Sequence, residues 1–173
     1  MKRNAFSLVE LMVVVAILAV LLAVLLPAFS QVRRTAKSAN CLSNLRQLYA
    51  AFHLYAEANR GILMGSATEE PWDELLREHV PGDEYYICPS DESGFGEMIG
   101  LSYAWRDDFE VDHPDASMAG RKLAVIGPPT LALVFEAVPG WHDPLQIQAA
   151  SLDGSARAYK VGEFEENLAQ EMK

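Results

Sequence analysis

Glu10 is the residue with the sharpest chemistry in this sequence, because it is the single charge among the twenty-four residues from Phe6 to Phe29. A carboxylate inside an apolar run costs about 2.5–3.5 kcal/mol on insertion scales at mid-bilayer, so it has to be paired, protonated or held near an interface. Two readings fit the residue itself: it reaches back to lipid headgroups, or it meets a positive charge on another subunit. Cys41 and Cys88 are the two cysteines, which allow one internal disulfide or two separate buried thiols, and no Cys/His grouping has zinc spacing. Asp107, Asp108, Glu110, Asp112 and Asp115 crowd one stretch whose oxygen-rich spacing suits a hard cation such as Ca2+. That stretch is no EF-hand, and a solvated acidic loop is the simpler reading. His142 beside Asp143 could serve general-base chemistry, but no nucleophile, acid pair or phosphate loop accompanies it, so a packed or hydrogen-bonded histidine is expected. His53, His79 and His113 are no stronger candidates. No catalytic constellation emerges, and neither enzymatic activity nor a resident cofactor is expected.

The elements that must carry these residues are legible from pattern. Sixteen apolar residues run without interruption from Leu11 to Leu26. With its flanks, Phe6 to Phe29, this helix reaches about 36 Å, enough for a hydrocarbon layer of about 30 Å. A buried core helix is rarely so long and apolar on every face. A cleaved secretory signal has a shorter apolar region and a small-x-small site, whereas Pro27, Ala28 and Phe29 lead here into Gln31, Arg33 and Arg34. Basic residues stand on both sides of the segment, so the positive-inside rule gives no clear orientation. Beyond Pro27 the stripe Val32, Ala36, Ala39, Leu42, Leu45, Leu48 or Tyr49, Phe52 and Tyr55 predicts an amphipathic helix ending near Asn59-Arg60-Gly61, with glycine as the cap. From Phe6 to Asn59 the element spans fifty-four residues, about 80 Å if unbroken.

Charge divides the chain in the same way. Residues 1–60 hold seven basic residues and two acids, a balance of +5, and the rest holds seven and twenty-two, a balance of −15. With −10 over 173 residues, nucleic acid is not an expected partner, because phosphate binding needs clustered cations. Residues 61–173 read as a small α+β unit. A short helix is expected from Glu70-Pro71-Trp72 to about His79, and a terminal helix over Glu163–Met172. Strands are expected over Tyr85–Cys88, Leu101–Trp105, Lys122–Ile126, Leu131–Glu136, Leu145–Leu152 and Ser155–Val161, the last two joined at Asp153-Gly154. An antiparallel sheet of these strands against the long helix could bring Cys41 to Cys88, a bridge that would contribute about 3–4 kcal/mol.

Lys2-Arg3-Asn4-Ala5 followed by Phe6-Ser7-Leu8-Val9-Glu10-Leu11 resembles the class III signal of type IV pilins and type II secretion pseudopilins. In that family a basic leader is cut before an aromatic residue, the new N-terminus is methylated, and a glutamate stands fifth in the mature chain. Counting Phe6 as first puts Glu10 fifth and Pro27 twenty-second, where the family has its helix-bending proline. Ala5 stands where the family usually has glycine. The resemblance implies processing at Ala5–Phe6 by a prepilin peptidase, and a Phe6 amine that pairs with the Glu10 of a neighbouring subunit. The stretch Cys41-Leu42-Ser43-Asn44-Leu45-Arg46-Gln47-Leu48, with Cys88-Pro89 and His142 ten residues before Asp153-Gly154, is similar to a pseudopilin-like branch whose spacing is usually nine.

The expected architecture is therefore α+β and type IV pilin-like: leader 1–5, transmembrane and assembly helix 6–29, amphipathic continuation 30–60, and acidic head 61–173. The implied partners are the peptidase, related pilin subunits, an inner-membrane assembly platform and membrane lipid. The implied location is a single-pass inner-membrane anchor with a periplasmic head, or a filament. The competing expectation keeps the anchor and makes the head a binding module for a glycan or divalent cation, using Trp105, Trp141 and the acidic loop.

Overall fold

The computed structural model describes residues 8–65, 70–108 and 117–170. The expected cleavage position at Ala5 and Phe6 lies outside the described residues, as do Glu110, Asp112, His113 and Asp115. The chain forms two compact units that divide between Ala36 and Lys37. Helix α1, Leu8–Ala58, passes through Pro27, beside which the Ser30 hydroxyl donates to the Pro27 carbonyl at 2.8 Å.

In the second unit four strands form an antiparallel meander in the order β1 (Tyr103–Trp105), β2 (Ala132–Glu136), β3 (Gln146–Ser151), β4 (Ala156–Lys160). The β3–β4 hairpin closes as its Asp-Gly pair predicts. Asp153 Oδ1 accepts the Ser155 backbone N–H at 2.8 Å, and Gly154 sits at φ +80°. A Cβ at Gly154 would come within 3.0 Å of the Tyr49 ring, so both conformation and the approach of α1 require glycine there.

The sheet is covered on both faces, which explains why β2 is buried along its whole length. One face meets α1 through Cys41, Leu45, Leu48, Phe52 and Ala56, which pack with Tyr103, Trp105, Leu133, Val134 and Ala150. On the other face Ala104, Ala132, Phe135, Ile147, Ala149 and Tyr159 lie under Phe164 of helix α4 (Val161–Leu168). Leu45, Leu48 and Phe52 of the expected stripe are buried, whereas Val32, Ala36 and Ala39 are exposed and Leu42, Tyr49 and Tyr55 flank the seam. The Cys41–Cys88 bridge holds Cys41 inward, and positions 45, 48, 52 and 56 follow by steps of three and four.

Two expected strands are turns. Asp83–Tyr86 is a 3-10 turn, because Pro81-Gly82 precedes it and the Tyr86 hydroxyl is drawn to the Asp73 carbonyl at 3.1 Å. Leu123–Val125 is another; only Lys122 bridges, to Ile62, and Pro128 and Pro129 cannot donate to a ladder. The short helix α2 is Trp72–Leu76, continued by a 3-10 turn to His79, and α3 is Phe95–Ile99. The terminal helix begins and ends earlier than expected. Arg106, fully buried, sets its end by donating to the carbonyls of Asn167, Leu168 and Gln170 at 3.0, 2.6 and 3.2 Å. A cation at the negative end of a helix is favourable. Burial lowers the pKa of this guanidinium to about 10, so it stays charged at neutral pH.

Candidate functional site

Two groups of residues merit a functional reading, one in each unit. In the first, every large apolar side chain from Leu8 to Val32 is exposed within the chain, and α1 is long and apolar enough there to cross a membrane. Glu10 lies on this surface in the first turns of the helix.

The second group is buried. Cys41 and Cys88 form a disulfide across 47 residues of sequence. Helix α1 supplies Cys41, and Asn44 one turn later donates to the Ile87 carbonyl at 3.0 Å, fixing the backbone beside Cys88. Arg46 reaches the Ala156 carbonyl on β4 at 3.4 Å, and the Tyr49 hydroxyl reaches the Leu152 carbonyl at 3.0 Å. The Cys-x-x-Asn-Leu-Arg-Gln-Leu stretch therefore does two jobs: its leucines fill the core and its polar side chains grip head backbone.

A register shift between Ala132 and Val134 marks a bulge in β2. Leu133 and Val134 consequently both join the α1-facing core, Phe135 turns to the α4 side, and Glu136 comes back toward α1. Without the extra residue the alternation would carry Glu136 to the opposite face; a bulge re-aims a side chain in this way. Glu136 Oε2 accepts the Gln148 backbone N–H at 2.8 Å. Its Oε1 lies 2.8 Å from His142 Nε2 and 3.7 Å from Cys88 Sγ, and the same Nε2 is 3.6 Å from that sulfur. Exposure is 0% at Cys41 and 1% at Cys88 and Glu136, with the His142 side chain at 10%. The ligand-type atoms of all four residues lie within 4.8 Å of one another.

The expected hydrogen-bonded histidine is thus His142, and its carboxylate partner is Glu136 instead of the adjacent Asp143. Asp143 accepts the Leu145 backbone N–H at 3.0 Å and shapes the loop that carries His142. Glu136 went unrecognised in the sequence reading. The available signal was an acid closing an otherwise apolar strand, Leu131 to Phe135, that is buried on both faces.

Other candidates fall into structural places. The Asp107 carboxylate accepts the Met118 N–H at 3.0 Å, and burial raises its pKa against the hydrogen bonds and the Arg106 charge that lower it. Asp107 therefore ties the two ends of the acidic loop together. Asp91, after Cys88-Pro89, accepts from Ser93, Gly96 and Ser102; burial works to raise its pKa, but these hydrogen bonds together hold it below the usual carboxylate range. Trp105 is buried and stacked on Phe52 with centroids 5.7 Å apart, so it offers no platform to a sugar ring. Trp141 packs partly buried against the same core.

Residues 1–26 match the family described as the prokaryotic N-terminal methylation motif. Comparison with curated proteins and with solved structures finds no match. The matched segment contains Ala5, Phe6 and Glu10 and ends at the last leucine of the apolar run. It supports a type IV pilin-like class and fits membrane anchoring through α1.

Proposed function

We propose that this chain is a prepilin-like structural subunit of a type II secretion or type IV pilus-like filament. A prepilin peptidase cuts between Ala5 and Phe6, the new N-terminus is methylated, and the mature subunit assembles through the apolar half of α1. The head faces the periplasm while the subunit is anchored in the inner membrane. The observation that carries this reading is the methylation-motif match over residues 1–26, joined to an apolar helix with no core of its own.

The physics is coherent. Cleavage removes Lys2 and Arg3 and creates a cationic amine on Phe6. Within a bundle of like helices that amine pairs with the Glu10 carboxylate of a neighbour, where low dielectric strengthens the attraction and penalises misregistered packing. Glu10 is then an assembly gauge. The subunit catalyses nothing itself; the machine's cytoplasmic ATPase supplies the work.

N-terminal sequencing and mass analysis of the mature protein test the reading. The expected N-terminus is methylated Phe6. Mature protein beginning at Met1, with Lys2 and Arg3 retained, would overturn it.

A further inference from the structure

We propose that Cys41, Cys88, Glu136 and His142 form a redox-gated site for one zinc-class divalent ion, closed while the bridge is oxidised and opened when a dithiol reductant cleaves it. The inference concerns the head and does not depend on filament assembly.

Three features of the cluster carry it. The first is convergence: Glu136 Oε1 and His142 Nε2, 2.8 Å from each other, both lie beside Cys88 Sγ, at 3.7 and 3.6 Å, in a largely buried cluster. Their mutual 2.8 Å contact satisfies both groups in the oxidised state, and it holds a carboxylate oxygen and an imidazole nitrogen against a sulfur that becomes a ligand once the bridge is cleaved. The second is donor chemistry. Two thiolates, one imidazole and one carboxylate are a four-ligand set for a borderline-soft ion, whereas Ca2+ and Mg2+ prefer six or more oxygens. Tetrahedral zinc with these ligands places donor atoms about 3.3–3.8 Å apart, and all four donors already lie within 4.8 Å of one another. The third is orientation. The Gln148 N–H holds Glu136 Oε2, which leaves Oε1 aimed at the site, and such outer hydrogen bonds are what fix a ligand's geometry. The bulge in β2 brings the carboxylate to this face at all.

The chemistry balances simply. A dithiol transfers two electrons and two protons to the S–S bond and becomes a disulfide, while Cys41 and Cys88 become thiols. The ion then replaces both thiol protons, which leave to solvent. Access runs through the β2–β3 loop, whose His142 is the most exposed of the four.

The test uses the full-length chain in detergent micelles. A trialkylphosphine reduces the bridge, water supplying the oxygen of the phosphine oxide and both thiol protons. After its anaerobic removal, Zn2+ is titrated, with Co2+ as a spectroscopic probe. The expected result is one Zn2+ per reduced chain, a thiolate-to-cobalt charge-transfer band with tetrahedral d–d bands, and neither in the oxidised chain. His142→Ala and Glu136→Gln should each weaken zinc binding about 10-fold or more. Three results would overturn the proposal: reduced wild type binding no more zinc than the Cys41→Ser/Cys88→Ser variant; both single variants binding as tightly as wild type, which would mean the thiols act alone; or loss of near-ultraviolet dichroism on reduction that zinc does not restore.

Discussion

Leu18 and Leu45 are the same residue type on the same helix, yet one is 52% exposed and the other fully buried. Around Leu18 the chain is apolar on every face, and none of its large side chains is covered by this protein. Around Leu45 the buried positions follow a single seam, Asn44 and Arg46 flank it and reach head backbone, and Gln47 is exposed. Fully burying a leucine or valine is worth about 1.5–3 kcal/mol relative to leaving it in water. The head obtains this from its own sheet. The first half of α1 can obtain it only from lipid or from other helices, where close packing and polar pairing decide association.

The largest expected effect separates the two halves by function. Glu10→Ala should leave membrane insertion and the melting of the head unchanged while abolishing assembly, as read by crosslinking of intact cells through cysteines placed on α1. Filaments formed at undiminished yield would remove the assembly role of Glu10 and leave the comparison resting on apolarity.

A core substitution probes the opposite half. Phe52 is fully buried between Trp72 and Trp105, with ring centroids 5.8 and 5.7 Å away. Phe52→Ala should destabilise the head by about 3–5 kcal/mol, the usual cost of a large cavity in a packed core. Leu18→Ala, the matching truncation on the other half, should shift the same thermal unfolding transition by no more than about 0.5 kcal/mol. Equal effects from both would mean that the apolar half is stabilised by the head after all.

The same contrast explains what could be read from the sequence. Residues 11–26 announce themselves because lipid demands an unbroken apolar run, which is a one-dimensional signal. The hairpin at Asp153-Gly154 was legible for a similar reason: turn chemistry is local. The head's less regular parts were not. Tyr85–Cys88 has strand composition, but its backbone follows the tertiary pull of Tyr86 toward Asp73 and of Cys88 toward Cys41. The candidate metal cluster was half visible. Cys41, Cys88 and His142 were singled out, although their spacing gave no reason to group them. Glu136 was hidden because a bulge decides which face it occupies, and that shift is a property of pairing between strands. The α1 seam was largely legible from periodicity, since Leu45, Leu48 and Phe52 are buried as expected, but Cys41, Ala51 and Ala56 complete it where Leu42 and Tyr55 were expected. The bridge that holds Cys41 inward reaches a residue 47 positions away, which no pattern within the helix records.

The smallest expected effect lies where the buried half of α1 stops. The Gly61 N–H bonds to the Ala56 carbonyl at 2.7 Å, the six-to-one closure of a Schellman cap, which makes Arg60 the residue at the left-handed position with φ +59°. Glycine was expected as the cap, but Arg60 takes the left-handed cap position and Gly61, at φ +79°, follows it. An L-residue held there costs about 1–2 kcal/mol. Glycine relieves that cost but adds about 0.5–1 kcal/mol of chain entropy on folding. It also forfeits a few tenths from a cation near a helix C-terminus. Arg60→Gly should therefore stabilise the head by about 0.5 kcal/mol, read as a small rise in its melting temperature, with no change in assembly. A destabilised Arg60→Gly head would show that the arginine side chain holds the cap more firmly than its backbone strains it.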